Sequence, residues 1–148
     1  MKSGVASLAL TLGLATGLAT SAMAAPPPKP ISVDQSASFL IDAATTEQLW
    51  TQNTPAKVRK LYPSKKFSFV SEVGGGFTES KNCVISARAM VLPVLHLPMQ
   101  GKKIVYAPVK SSTAFDAAPN LSREQCQALA RTKLKEAIQS LVSALASS

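Results

Sequence analysis

A chain of 148 residues with 16 basic and 8 acidic side chains, a formal net charge of +8, is long enough for one packed core and too short for several. The basic excess favours anionic partners, such as phospholipid headgroups, lipopolysaccharide, acidic glycans or an acidic protein face. One histidine and two cysteines are too few donors for the usual zinc sites once the cysteines pair, so neither a metal nor a cofactor is expected.

The first 24 residues read as a secretory signal peptide. Lys2 is followed by an apolar run over residues 5–18, and Ala22-Met23-Ala24 offers small residues where a signal peptidase cuts. Cleavage near Ala24 implies a periplasmic or secreted product. No later run reaches the ~20 apolar residues of a spanning helix, so a soluble or peripheral protein is expected. Residues 25–37 read as a Pro-rich tether, stiffened by polyproline geometry over Ala25-Pro26-Pro27-Pro28-Lys29-Pro30. Residues 38–148 are expected to form a single domain.

In an oxidising compartment two cysteines pair, so Cys83 and Cys126 are assigned to one disulfide. Closing a loop of that length stabilises a fold by about 4 kcal/mol in the chain-entropy description.

A short strand is expected at Ser38-Phe39-Leu40-Ile41. A helix starts near Thr45, which forms a capping box with Gln48, and Leu49 and Trp50 anchor it. A second short helix opens with Thr54 as N-cap and Pro55 at its first position, and buries Val58, Leu61 and Tyr62. Residues 66–73 alternate, with Phe67, Phe69, Ser71 and Val73 on one face of a strand that ends at Gly74-Gly75-Gly76. Residues 77–82 follow as a loop. The next strand is central, with Cys83, Ile85, Ala87, Ala89 and Val91 on one face and pairing ended by Pro93. Residues 102–109 are expected as the third strand of an antiparallel meander, and residues 110–120 as a loop rich in Ser, Thr, Ala and Pro.

The last helix is the best defined. Ser122 and Gln125 form a capping box. Cys126, Leu129, Ala130, Leu134, Ala137, Ile138, Leu141 and Leu145 recur at three- and four-residue spacing over residues 123–146. The expected fold class is α+β: a small antiparallel sheet of three to four strands, covered on one face by this helix and the short N-terminal helices.

Catalytic patterns are sparse. The three glycines lead into a strand rather than a helix, unlike a phosphate cradle. His96 has no GxSxG nucleophile beside it. Glu72 and Glu79 could face each other across the hairpin, but carboxylate pairs that cleave sugars also need an aromatic cleft, and one Trp and two Tyr do not furnish it. Ser86 and Arg88 read as outward polar positions of the central strand.

The candidate site is an anion-binding patch: Lys57, Arg59, Lys60, Lys65 and Lys66, interleaved with Tyr62 and Phe67, and joined by Lys102 and Lys103 if their strand ends nearby. A solvated helix side accounts for the same lysines. The expected function is that of a non-enzymatic, exported cell-envelope protein that binds or assists another macromolecule, as an inhibitor, immunity protein or assembly accessory. The alternative is a peripheral binder of anionic lipid or polysaccharide. Nucleic acid is not an expected partner of an exported chain.

Overall fold

Alternation at period two builds the centre of the structure, a computed structural model that describes residues 32–94 and 107–148. β2 (Phe67–Phe77) and β3 (Asn82–Pro93) pair antiparallel, with Phe69 opposite Val91 and Val73 opposite Ala87. Cys83, Ile85, Ala87, Ala89 and Val91 share one fully buried face of β3, as the pattern predicts. β4 (Lys110–Pro119) pairs antiparallel with β3, and β1 (Ser32–Asp34) pairs parallel with β2. The strand order is β1-β2-β3-β4. The sheet is therefore mixed, and the α+β class holds.

The buried face packs against α1 (Ala43–Asn53), α2 (Ala56–Leu61) and α3 (Arg123–Ala146), whose Trp50, Val58 and Leu134 join its core. In α3 the capping box is present in full: Ser122 Oγ accepts from the Gln125 N–H, and Gln125 Oε1 accepts from the Ser122 N–H. The expected stripe is buried apart from Leu129, which is half-buried, and it also takes in Val142. The helix crosses β3 and β4, and the Cys83–Cys126 disulfide ties it to the sheet with the two Cα atoms 5.8 Å apart. No described helix is long and apolar enough to cross a membrane.

Several local expectations are corrected. Residues 110–120, whose composition suggests a loop, supply β4. An edge strand draws its stability from ladder hydrogen bonds, and small side chains such as Ala114 let α3 approach it. Within the expected third strand, residues 102–106 lie outside the described residues, and 107–109 are not in a strand.

No strand forms at residues 38–41. The first strand is Ser32–Asp34, inside the stretch expected as a tether, and the Gln35 and Ala37 N–H groups continue along β2 by donating to the Ser71 and Val73 carbonyls. Glu47 on α1 accepts both the backbone N–H and the hydroxyl of Ser32, which fixes this edge to the helix layer.

Helix α1 begins earlier than Thr45. Asp42 is its N-cap, with Oδ1 accepting from the Thr45 N–H at 2.8 Å, and Ala43 and Ala44 extend the first turn. That hydrogen bond, with a second from the Thr45 hydroxyl, holds the Asp42 carboxyl below its ordinary value. Pro55, not Thr54, precedes the first residue of α2. Thr54 instead closes α1 and is buried, and its Oγ1 has no hydrogen-bond partner among the described residues.

The three glycines lie inside β2 rather than ending it. Gly75 has φ +123°, and a Cβ there would collide with the Val84 carbonyl of β3.

Candidate functional site

The expected basic patch is partly absorbed into the framework. Arg59 donates through Nε to the Thr54 carbonyl and through a terminal nitrogen to the Thr51 carbonyl, both at 2.9 Å, at the C-terminal end of α1. Lys57 Nζ donates to the Ala146 carbonyl at 3.2 Å. α3 has no basic residue in its own last turn, so Lys57 from α2 and Lys110 from β4, which donates to Ala144 O at 2.8 Å, bring positive charge to the negative end of its dipole. Lys60, Lys65 and Lys66 are exposed, while Lys102 and Lys103 lie outside the described residues. The interleaved aromatics are half-buried and pack edge to face on each other, with Tyr62 and Phe67 centroids 5.2 Å apart.

Glu72 and Glu79 do not face each other. Glu72 is opposite Arg88, and Glu79 sits in the turn beyond Phe77. Five strand residues at ~3.4 Å each put about 17 Å between Glu72 and that turn, too far for a carboxylate pair. His96 lies outside the described residues.

What the structure does assemble is a surface on the sheet face turned away from the helices. Glu72, Arg88 and Thr113 form one row across β2, β3 and β4, and Gly74, Ser86 and Phe115 form the next. A shallow depression of about 560 Å³ opens here, bounded by Glu72, Arg88, Ser86, Ser111 and Thr113, with Gly74 and Gly75 in its floor. At its margin Phe115 is 65% exposed. Toward the other end of the same face, Val70 and Met90 are buried.

The depression offers a carboxylate, a guanidinium and three hydroxyls on one sheet face, suited to hydrogen bonding with a broad surface. A second, apolar pocket of about 220 Å³ lies beside the disulfide, between Phe39, Phe77, Cys126 and Arg123. Among the described residues no group of three or more His, Cys, Asp or Glu could hold a metal ion.

Ser86 and Arg88 were legible as outward positions of β3, whereas Ser111, Thr113 and Phe115 were not, because their strand was not. The available signal was the single aromatic, Phe115, among small residues at alternating positions. In comparisons with protein families, with curated proteins and with solved structures, nothing matches this chain.

Proposed function

We propose that this chain is an exported cell-envelope protein without enzymatic activity that binds or assists another macromolecule, as an inhibitor, immunity protein or assembly accessory, through the exposed half of the sheet face opposite its helices. The observation that carries this is the row Glu72, Arg88 and Thr113 with Phe115 beside it, on a face that lies opposite the helix layer. A broad, shallow surface with both charge signs, hydroxyls and an exposed aromatic suits a protein surface better than a small ligand, which needs an enclosing cavity. The disulfide and the leader-like residues 1–24 support an oxidising, extracytoplasmic compartment.

A photo-crosslinking side chain at Ser86, with exposed Lys135 on α3 as the control position, tests the reading in the native host. A partner other than a second copy should crosslink from Ser86 and not from Lys135, and Arg88→Glu should abolish the product. Equal crosslinking from both positions, or indifference to Arg88→Glu, would reject it.

The second reading, peripheral binding of anionic lipid or polysaccharide, draws on the exposed Lys60, Lys65 and Lys66. Vesicle binding that weakens steeply with salt would favour it.

A further inference from the structure

Among the described residues β4 ends the sheet, with the outer groups of its backbone unpaired. In an antiparallel ladder, directly opposed residues alternate between hydrogen-bonded and non-hydrogen-bonded pairs. The Thr78 N–H donates to Asn82 O and the Val94 N–H to Lys66 O, so the even-numbered residues of β3 bond to β2. Its odd-numbered residues therefore bond to β4, opposite Lys110, Ser112, Ala114, Asp116 and Ala118. The intervening Ser111, Thr113, Phe115 and Ala117 direct their N–H and C=O groups away from the sheet.

Of these four, Ala117 is already engaged, because its N–H donates to Asp116 Oδ1 at 2.8 Å. Among the described residues no strand lies beyond β4 and nothing meets the outward groups of Ser111, Thr113 and Phe115. Native edges are usually blunted by shortness, bulges, proline or a projecting lysine. β4 runs for 10 residues with proline only at its end, and its lysine is drawn back onto the C-terminus of α3.

We propose that two copies of this chain pair antiparallel through β4, about a two-fold axis at Thr113, to form one continuous eight-stranded sheet. Three features select this partner and this register. The register uses the three consecutive outward residues whose backbone groups have no partner among the described residues, with Thr113 opposite Thr113 of the second copy and Ser111 opposite Phe115, and leaves out the occupied Ala117. It sets Lys110 of each copy opposite Asp116 of the other, so the only two charges on the strand, each already held against α3 through Ala144 and Lys133, fall beside a charge of opposite sign rather than a like one. It also lays the exposed Phe115 ring across the seam onto Ser111 and Thr113 of the second copy, within reach of cross-strand and diagonal contact.

The helix layer tolerates the arrangement. α3 lies over β3 and β4, and strands are ~4.8 Å apart, so the axis brings the two α3 helices to roughly 9–10 Å, an ordinary packing distance. Lys133 and Glu136, paired on the β4 side of α3 through Lys133 to Asp116, then flank the seam with opposite charges. The pairing is independent of the function proposed above, though it would join the outer sheet faces of the two copies into one.

Sedimentation velocity of the oxidised protein from about 5 μM to about 1 mM tests this, alongside Thr113→Pro and Phe115→Lys. Proline at Thr113 deletes an outward N–H and leaves the bonds to β3 in place, since edge strands accept it there. The expected result is a concentration-dependent dimer for the unaltered protein and at least a tenfold weaker association for both variants, with melting temperatures of the dilute monomers within a few degrees. A protein that stays monomeric throughout, or a dimer that survives both substitutions, overturns the proposal. If Thr113→Pro fails to fold, Phe115→Lys decides alone. A monomer that instead captures an added extended peptide would make the edge a site for a foreign strand and would equally overturn it.

Discussion

Trp50 Nε1 donates a 2.6 Å hydrogen bond to Ser71 Oγ, and both residues are fully buried. This bond joins α1 to β2 through the core, where the Trp50 ring also packs on Phe69 with centroids 5.1 Å apart. Ser71 is the polar member of an otherwise apolar strand face, and the indole N–H is the donor that makes it necessary.

Removing that acceptor leaves a buried donor without a partner. Ser71→Ala should therefore destabilise the fold by about 2 kcal/mol. Adding Trp50→Phe should cost less than the sum of the two single changes, because it removes the orphaned donor. Urea denaturation of the two single variants and the double variant checks the coupling.

The disulfide should dominate the response to reduction. Cys126→Ser should lower the melting temperature by well over 5 °C, in keeping with about 4 kcal/mol for a cross-link over a sequence separation of 43. Thiol titration of the unreduced protein under denaturant should find no free cysteine. A variant that melts with the unaltered protein would contradict this.

The buried stripe of α3 leaves no room for charge. Leu134 and Ile138 are both at 0% exposure, and Leu134→Asp or Ile138→Asp should abolish cooperative folding. Circular dichroism through a thermal ramp would show loss of the sigmoidal transition.

Arg59 and Lys60 should separate on the same short helix. Arg59→Ala withdraws two donors from carbonyls at the end of α1 and should cost about 1 kcal/mol. Lys60→Ala should change stability by less than about 0.5 kcal/mol, as exposed substitutions do. Chemical denaturation distinguishes them, and it must precede any vesicle-binding comparison that uses these variants.

Acid should weaken the contact between α3 and β4. The hydrogen bond from Lys133, followed by that from the Ala117 N–H, holds the Asp116 carboxyl below its ordinary 3.8. A group depressed on folding adds stability above its unfolded value, and that stability is lost as pH falls below about 3.8 through the lower folded value. Asp116→Asn should flatten this part of the stability profile. The Lys133 ammonium, raised above 10.5 by Glu136 and then Asp116, gives the opposite limb: its contribution is present below 10.5 and fades as pH rises through the higher folded value. Melting temperatures from pH 2 to 5 and from pH 9 to 12 follow the two limbs.

The amino-acid sequence alone determined the elements whose own side chains make their case. α3 carries its cap and its apolar stripe within a continuous stretch, β2 and β3 carry alternation strong enough to assign a face, and two cysteines allow a single pairing. Tertiary structure decided the rest. β4 is a strand because β3 and α3 give its backbone and its small side chains a place, which composition does not encode. β1 finds its parallel place because residues 32–37 lie against β2. Lys57 and Arg59 became part of the framework because the ends of α3 and α1 arrive beside them. The common reason is that hydrophobic periodicity is a local signal, whereas an edge strand, a cation at a distant helix end and a row of polar side chains across three strands exist only through what the chain brings next to them.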